Sequence, residues 1–327
     1  MVLNGRTAGT VSAANQKKVL DAAKELGYTR SAVALSLRGG RTRTIGLISD
    51  EIATSPWAGR MMRAASMTAA ERGYMVLTVD LALPETTADG AVRMLAERQV
   101  DGLVYAAMGR TRITVPTLPP GIPLVLLNCE EGDPEAPAPH GAGSTPAVFP
   151  DDLRGARRAA RRLLEAGHRH LVMISGDDTS VATREREKGF ADELRAAGLE
   201  PRIVREGWEM DDGFRAASAL LSEEEPPTAL FCIRDRVAAG AIHAAAVAGV
   251  EVPRELSVIG YDDEDFFAEV LTPPLTTIAL PHQVMGRAAM TALLDQIDAS
   301  PSVGDAQQML MDCPIVERAS VAAAPEA

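Results

Sequence analysis

The sequence predicts an α/β protein built from two doubly wound parallel sheets. Short, continuous apolar runs alternate with longer amphipathic stretches along most of the 327 residues, the pattern of buried parallel strands joined by helices. A segment rich in proline, glycine and acidic residues, 130–147, separates two such sets. With 46% hydrophobic residues, the chain is long enough for two cores. Two units in tandem leave a cleft between them.

The elements follow from these patterns in order. Ser12 caps a predicted helix that ends at Leu26 and is closed by Gly27, and a second, short helical stretch, 31–37, is too small to be stable alone. The first α/β set has predicted strands at 45–48, 75–79, 102–105 and 123–127 and helices over 57–72 and 85–98; the second has strands at 171–174, 203–205, 229–233 and 257–260 and helices over 152–166, 181–197, 211–221 and 236–248. A helix over 281–299 and a last strand over 309–316 complete the prediction.

Charge divides the chain into a basic head and an acidic body. Residues 1–44 have a balance of +6 and the remainder −18, within a net charge of −12. A basic end on an acidic protein favours contact with phosphates at that end. The three cysteines, Cys129, Cys232 and Cys313, lie far apart in or beside apolar runs, which predicts buried thiols in a reducing cytoplasm. We expect no secretion signal and no membrane span, because no apolar run approaches the roughly 18 residues required.

The sequence lacks the motifs of common enzymes. It has no GxGxxG after a strand and no GxxxxGK[ST], HExxH or GxSxG motif, so we expect neither catalysis nor a cofactor. His168 and His170 are close enough in sequence for a metal pair, but no cysteine or carboxylate pattern accompanies them, which favours structural roles and no metal site. His140, His243 and His282 are isolated and are interpreted in the same way.

Several fragments occur in a fixed order that is similar to a known family. They are Val2-Leu3-Asn4-Gly5, residues 31–39 followed by Ile45-Gly46-Leu47-Ile48, Arg186 with Gly189, and Ile259-Gly260-Tyr261-Asp262-Asp263. Together they resemble the lactose-repressor/galactose-repressor family of bacterial transcription regulators. The resemblance implies a helix-turn-helix headpiece, a hinge helix and a periplasmic-binding-protein-like core that binds a sugar or related metabolite. It also implies a homodimer acting, most simply as a repressor, on a pseudo-palindromic operator.

The resemblance also implies a division of the chain. Residues 1–43 would be a truncated DNA-binding headpiece with the hinge helix, and 321–327 a disordered tail. The amino-terminal subdomain would comprise 44–147 and 281–307, and the carboxy-terminal subdomain 148–280 and 308–320.

Effector-binding residues are carried over from matching positions of the family. Arg186, three positions before Gly189, would clamp the effector, and Asp262 would accept hydrogen bonds from its hydroxyl groups, with a turn-stabilising aspartate as the alternative. Trp208 would stack on its apolar face, with a core role as the competing interpretation. Trp57 matches a position that faces the cleft in the family, and Asp50 and Asn128, each following a strand of the first subdomain, are weaker candidates for polar contacts.

One residue departs from the family pattern. Arg234 stands where relatives commonly carry an asparagine before the aspartate at the end of a strand. A second cation predicts either an effector with an acidic group or an internal pairing of Arg234 with Asp262 or Asp235.

The DNA-binding residues lie in the first 37 positions. Ser12, Asn15 and Lys17 are candidates for backbone contacts, and Arg30, which replaces a proline common in relatives, for a phosphate contact. In the hinge stretch that begins at Ser31, Ala34 would allow close approach to the minor groove and Leu37 would wedge between base steps.

The front of the headpiece is missing from the sequence, because Met1 falls where the family's recognition helix ends. We therefore expect weak, steeply salt-dependent DNA binding by these 327 residues, and a mis-assigned start or a genuine truncation as its origin. The alternative function is a headless sugar-binding protein without sequence-specific DNA binding. Effector, operator and the direction of regulation are left open.

Overall fold

A computed structural model describes the fold over most of the chain. The described residues are 11–26, 41–50, 56–133, 144–176, 180–298 and 308–325, excluding the side chains of 56–58. The predicted fold class is confirmed, because the chain forms two six-stranded, predominantly parallel sheets with helices packed against them. We call each sheet with its helices a lobe, amino-terminal for the first sheet and carboxy-terminal for the second.

The amino-terminal lobe has the strand order β11-β5-β4-β3-β1-β2. Its helix α2 (Pro56–Glu71) packs against α8 (His282–Asp298) on one face of the sheet, and α3 (Ala88–Glu97) covers the other face. Gly286 of α8 allows the close approach of α2, because a Cβ at this position would lie 2.2 Å from the carbonyl oxygen of Met61. The elements of this lobe are β1 (Thr44–Ser49), α2 (Pro56–Glu71), β2 (Met75–Asp80), α3 (Ala88–Glu97), β3 (Gly102–Ile113), β4 (Leu124–Glu131), β5 (Ala147–Pro150), α8 (His282–Asp298) and β11 (Gln308–Met311).

The carboxy-terminal lobe has the order β12-β10-β9-β8-β6-β7 around a single continuous core. Its central strands are fully buried, which explains their unbroken apolar sequences. The elements are α4 (Asp152–Glu165), β6 (Leu171–Ser175), α5 (Val181–Ala196), β7 (Arg202–Arg205), α6 (Met210–Leu221), β8 (Ala229–Cys232), α7 (Asp235–Ala248), β9 (Ser257–Asp262), β10 (Thr276–Ala279) and β12 (Ile315–Val316).

Strands β3 and β4 extend further than the sequence predicted. Strand β3 continues to Ile113, and residues 107–110 lie opposite Asn128 alone, which makes an irregularity in the pairing with β4. The apolar run continues only to Met108, and the Gly109-Arg110-Thr111-Arg112 stretch that follows carries no hydrophobic signal of a strand. Strand β4 likewise reaches Glu131, inside the segment predicted as a loop.

The chain crosses between the lobes at points that differ from the prediction. Residues 148–150 and 308–311 were assigned to the carboxy-terminal subdomain, but β5 and β11 pair with each other in the amino-terminal sheet. The predicted strand over 309–316 is two strands, one in each sheet. Pro314 lies between them and has no N–H to continue a ladder. Arg158 of α4 fixes this crossing through Asp312, at 3.0 Å, and the carbonyl oxygen of Cys313.

The tail assigned to disorder is packed against the carboxy-terminal lobe as far as residue 325. Ala322 N donates to Ser257 Oγ at 3.0 Å, and Ala324 N donates to the carbonyl oxygen of Ala166 at 2.9 Å. The disorder assignment was therefore wrong for 321–325, because these small residues supply backbone hydrogen bonds that a hydrophobicity pattern does not reveal. The other two tail residues lie outside the described part.

His168 has the structural role expected of it. Its Nδ1 lies 3.0 Å from Thr228 Oγ1 and its Nε2 3.0 Å from Ser257 Oγ. Burial lowers the pKa of this imidazole. The prediction of buried thiols is also confirmed, since Cys129, Cys232 and Cys313 are free and 0% exposed.

The helical head is described only in part. Helix α1 (Ala13–Glu25) forms where predicted, and Ser12 Oγ accepts a hydrogen bond from the N–H of Asn15 at 3.4 Å. No residue of α1 is buried against the lobes. Gly27 and the predicted hinge helix lie outside the described residues. Among the helices of the described ranges, none is long and apolar enough to cross a membrane.

Candidate functional site

A cavity of about 530 Å³ lies between the two lobes. It opens at the carboxyl ends of strands from both sheets, where open α/β folds place ligands. The amino-terminal wall is formed by Asp50, Met108, Gly109, Arg110, Thr111, Asn128 and Pro150; the carboxy-terminal wall is formed by Asp152, Ser180, Ala182, Arg186, Trp208, Arg234 and Asp262; Leu280 and His282 come from the crossing that leads into α8.

Six of the seven side chains predicted to bind an effector line this one cavity. They are Asp50, Asn128, Arg186, Trp208, Arg234 and Asp262. Trp57 belongs to α2, but its side chain lies outside the described part of the structure. The sequence therefore identified residues that the fold brings together from positions more than 200 apart.

Arg186 is the centre of the carboxy-terminal wall. It is 3% exposed, and its Nε donates to Asp152 Oδ1 at 2.8 Å while its Nη1 donates to the carbonyl oxygen of Ile233 at 2.6 Å. Its guanidinium also lies over the ring of Tyr261, 3.7 Å from the centroid. Burial alone would lower the pKa of Arg186, but neighbouring charges, those of Asp152 and Asp262 among them, outweigh burial and raise it. The cation is fixed in charge and position.

Asp262 ends β9 with its backbone in an unusual conformation. Its φ of +113° is rare for a residue with a side chain, and it turns the carboxylate into the cavity. Burial raises the pKa of Asp262 to about 6, although Arg186 and Arg234 act in the opposite direction. The carboxylate is thus an acceptor at neutral pH that becomes protonated in mild acid.

Arg234 pairs internally with one of its two predicted partners. Its Nε lies 3.7 Å from Asp262 Oδ2, and its Nη1 donates to Glu209 Oε1 at 3.2 Å. Asp235 is instead occupied with other groups, since its Oδ2 accepts from the N–H of Glu264 at 2.8 Å and its Oδ1 from Thr277 at 2.5 Å. The cation therefore enters the cavity wall with carboxylates already beside it.

Trp208 combines the two roles that the sequence left open. The indole packs against Gly176, where a Cβ would lie 2.5 Å from Nε1, so glycine is required under the ring. Trp208 is partly buried against the carboxy-terminal core, and it also lines the cavity. The ring is anchored on the core side and presents apolar surface on the other.

The amino-terminal wall is organised by the irregularity in β3. Asp50 Oδ1 accepts from the N–H of Met108 at 2.8 Å. Asn128 Nδ2 donates to the carbonyl oxygens of Ala107 and Met108, both at 3.0 Å. Asn128 has a φ of +58°, a left-handed conformation that asparagine tolerates better than most residues. These two side chains hold the backbone that projects residues 108–110 toward the cavity.

Three further ionisable residues of the cavity were missed by sequence reasoning. Arg110 lies in the unpredicted continuation of β3, and Asp152 begins α4 next to Asp151, which caps that helix through a 3.0 Å bond from Arg154 N. Two adjacent aspartates at a helix start were a usable signal, because only one can be the cap. His282 was interpreted as an isolated structural histidine, but it lines the cavity at the start of α8.

The DNA-binding candidates are described in part. Ser12, Asn15 and Lys17 are exposed on α1, and Lys17 Nζ lies 3.9 Å from Asp21. Ser12 caps the helix as an acceptor, so its hydroxyl hydrogen can still donate to a backbone phosphate. Arg30, Ser31, Ala34 and Leu37 lie outside the described residues.

Comparison with known proteins places these features in a family. Residues 160–321 match the family described as periplasmic binding protein-like domain. The chain is 33% identical over 326 residues to the HTH-type transcriptional repressor CytR of Escherichia coli strain K12, and the match covers 96% of this chain and 90% of CytR. The fold, the interlobe cavity and this similarity define a regulator with a binding-protein-like core. The chain belongs to the lactose-repressor/galactose-repressor family of transcriptional regulators.

Solved structures share the whole architecture. The transcriptional regulator CelR in complex with cellobiose superposes with a TM-score of 0.70 at 27% identity, covering 98% of this chain and 94% of CelR. The lac repressor dimer bound to operator and the anti-inducer ONPF superposes with a TM-score of 0.79 at 23% identity, with coverage of 98% and 94%. At that identity, the second likeness supports the fold alone.

Proposed function

We propose that this regulator is a repressor whose DNA binding is controlled by a small metabolite held in the interlobe cavity. The observation that carries the proposal is the convergence of Arg186, Asp262 and Arg234 from one lobe with Asp50 and Asn128 from the other around a single cavity. No covalent step is required, and we assign neither an enzymatic activity nor a cofactor. The reduced, buried cysteines suit a protein of the cytoplasm, where it would meet DNA.

The mechanism we propose is a population shift between two arrangements of the lobes. A ligand that contacts both walls favours the arrangement in which both sets of contacts form, and it shifts the equilibrium only by this difference in affinity. The amino-terminal lobe begins at β1, directly after the predicted hinge, so its position sets the geometry of the hinge. Whether the ligand releases or recruits DNA depends on which arrangement it favours.

The effector class we propose is a sugar or related metabolite. CelR, a structural relative of this chain, is solved with cellobiose, and the cavity combines hydrogen-bonding side chains with the face of Trp208. The pairing of Arg234 with Asp262, at 3.7 Å, supports internal compensation of its charge over the alternative of an acidic effector. An Arg234→Asn variant that kept the same preference between neutral and acidic sugars would agree with this choice.

The DNA partner we propose is a pseudo-palindromic operator bound by a homodimer. A related fold is solved as a lac repressor dimer on its operator. Ser12, Asn15 and Lys17 of α1, with Arg30, Ser31, Ala34 and Leu37, are the residues we propose for contact with DNA. The lobes that move are, in this proposal, the two predicted subdomains with their boundaries shifted to place β5 and β11 in the amino-terminal unit.

A single experiment tests both halves of the function. The purified protein is incubated with fragmented genomic DNA of its source organism, bound fragments are sequenced, and the selection is repeated with pools of neutral sugars, sugar acids and sugar phosphates. We expect a pseudo-palindromic motif whose recovery changes with one pool, and we expect an Arg186→Lys variant to bind the motif without responding.

Two outcomes would contradict the proposal in different ways. Ligand binding without any enriched motif would favour the headless binding protein. An enriched motif that no pool affects, together with absence of ligand binding by calorimetry, would leave a DNA-binding protein without an effector.

A further inference from the structure

Three buried polar side chains meet the cavity where the lobes adjoin. Arg110, Asp152 and His282 are 3%, 0% and 5% exposed, and all three line the cavity. Each has one polar atom with no hydrogen-bond partner among the described residues: Arg110 Nε, Asp152 Oδ2 and His282 Nδ1. They come from β3, α4 and α8, so the cluster draws on both lobes and on the crossing between them.

The positions of Arg110 and Asp152 are fixed by their other contacts. Arg110 Nη1 donates to the carbonyl oxygen of Pro150 at 3.1 Å, and its guanidinium lies over the ring of Phe149, 4.3 Å from the centroid. Asp152 Oδ1 is engaged by Arg186 Nε at 2.8 Å. Arg110 Nη1 lies 3.7 Å from Asp152 Oδ2, which is within ion-pair range but too long for a hydrogen bond.

Unsatisfied polar atoms of this kind are costly in a protein interior. Each buried donor or acceptor without a partner has lost its hydrogen bonds to water without replacing them, which destabilises the folded state. Buried polar groups are therefore almost always paired, and exceptions call for a specific reason. Three exceptions around one cavity indicate that the missing partner is a bound molecule.

The chemistry of the cluster selects among ligand groups. A carboxylate or phosphate facing Arg110 would also face Asp152, whose Oδ2 is only 3.7 Å from the same guanidinium. An ammonium group facing Asp152 would meet Arg110 and Arg186. A hydroxyl group accepts from a guanidinium and donates to a carboxylate at the same time. Burial, with the charges of Arg60 and Arg186, lowers the pKa of His282 to about 3, so the imidazole is neutral and adds no charge.

We propose that Arg110, Asp152 and His282 form a subsite for a neutral, hydroxyl-bearing part of the effector, and that Arg110 is its specificity-determining residue. This inference rests on the proposed effector function of the cavity. It narrows the effector to a molecule that presents an uncharged, hydroxyl-bearing group to these three side chains. A hydroxyl held between Arg110 and Asp152 joins the amino-terminal lobe to the carboxy-terminal lobe directly. The subsite thereby contributes to the difference in affinity between the two lobe arrangements.

Arg110 owes its position to the extended part of β3. Arg112, next but one along the strand, donates from Nε to Glu130 Oε1 at 3.0 Å, and Arg110 Nη2 lies 3.6 Å from Glu130 Oε2. Glu130 thus holds two arginines of the extension in register with β4. The subsite depends on this local ion pairing and not on the strand ends that the sequence identified.

The test is calorimetric titration of the full chain with sets of related sugars that differ in charge. The probes are glucose, glucuronate and glucosamine; galactose, galacturonate and galactosamine; and cellobiose with cellobionate. We expect at least one neutral member to bind at least tenfold more tightly than its charged counterparts. We expect Arg110→Met to weaken that binding by roughly 10- to 100-fold, as for a lost hydrogen bond to a charged group, and Arg184→Met, on the exposed face of α5, to leave it unchanged.

Each contrary outcome overturns the assignment. Charged members that bind as tightly as neutral ones, failure of every neutral member to bind, or an Arg110→Met protein with normal affinity would each reject it. If Arg110→Met fails to fold, as judged by its thermal transition, Arg110→Lys and His282→Asn replace it, with the same expected loss. Failure of the proposed function is distinguishable, because a ligand would then bind in this pattern without changing DNA occupancy.

Discussion

The two walls of the cavity are built on different principles. The carboxy-terminal wall is a chain of buried charges, in which Asp152, Arg186, Asp262 and Arg234 follow one another at 2.8 to 3.7 Å. The amino-terminal wall relies on Asp50, Asn128 and their hydrogen bonds to the backbone of the β3 irregularity. The carboxy-terminal wall is therefore held chiefly by charge, whereas the amino-terminal wall combines the ion pairs of Glu130 with a backbone segment that polar side chains fix.

This difference sets what each wall contributes. Buried ion pairs are strongly destabilised when one partner is lost, because the other charge is left in a medium of low polarity. Side chain-to-backbone bonds are individually weaker, but they determine the path of the chain. We therefore expect substitutions in the carboxy-terminal wall to affect stability most, and those in the amino-terminal wall to alter the placement of residues 108–110.

The largest effect should come from Arg186→Ala. Removing the guanidinium leaves Asp152 and Asp262 without their shared cation, and a broken buried pair costs about 3–5 kcal/mol. We expect a loss of this order in the free energy of unfolding, measured by urea denaturation, together with loss of ligand binding. Arg184→Ala is the matched control, since Arg184 is an exposed neighbour on the same helix. Equal losses in the two variants would remove the distinction between the walls.

A smaller effect is expected from Asn128→Ala in the amino-terminal wall. The variant loses two bonds to backbone carbonyls and retains a side chain at a φ of +58°, so we expect destabilisation by about 1–3 kcal/mol. Asn128→Gly separates the two causes, because glycine relieves the backbone cost of about 1 kcal/mol but not the lost bonds. Should alanine and glycine be equally destabilising in denaturation, the backbone conformation would contribute nothing.

The walls should also differ in their response to pH. The pKa of Asp262 is raised to about 6 by burial, so its contribution to stability is fully present below the unfolded value of 3.8 and is lost as pH rises through about 6. Ligand binding has the opposite trend, because only the ionised carboxylate accepts two hydroxyl donors. We expect affinity for a neutral sugar to fall about tenfold between pH 7 and pH 5.

Asp262→Asn provides the control for this pH dependence. The amide cannot titrate, so calorimetric affinity should be lower at pH 7 and flat down to pH 5. His282 does not complicate the comparison, since its pKa of about 3 keeps it neutral throughout. A pH dependence that survives in Asp262→Asn would assign it to another group.

The same contrast explains how much was predictable from sequence. Arg186 and Asp262 occur in recognisable fragments, and strand-end positions place Asp50 and Asn128 at the mouth of the cleft. Arg110 was not predictable, because its position depends on residues 107–110 facing one residue of β4. An irregularity of this kind in strand pairing leaves no periodic pattern in the sequence. The fold was predictable because buried parallel strands leave continuous apolar runs.

The crossings were the weakest part of the fold prediction for a related reason. Strands β5 and β11 are only four residues long, and they pair across the fold with partners far away in sequence. The tail is held by bonds from its main chain, as at Ala322 and Ala324. Neither feature changes local composition, so neither can be recognised without the tertiary structure.

The smallest expected effect concerns α8, which connects the cavity to the DNA-binding end. Helix α8 begins at His282 in the cavity and ends at Asp298, where Asp298 Oδ1 accepts from Arg41 Nη1 at 2.7 Å. Arg41 follows closely after the predicted hinge. Seventeen helical residues at about 1.5 Å each span about 25 Å, so one helix runs from the cavity to the contact with Arg41. The hydrogen bonds from Arg41 and Arg72 lower the pKa of Asp298, which keeps this contact ionised.

We expect Asp298→Asn to reduce the effect of ligand on DNA binding while leaving ligand affinity and the fold intact. The contact is exposed and adds little to stability, but it joins Arg41 to the helix that begins at the cavity. Asp295→Asn is the matched control, because Asp295 lies on the same helix as Asp298 and pairs with Arg72, at 2.6 Å, rather than with Arg41. The measurement is operator affinity with and without saturating ligand. If both variants retain the full ligand effect, the hinge is controlled through the sheet of the amino-terminal lobe and not through α8.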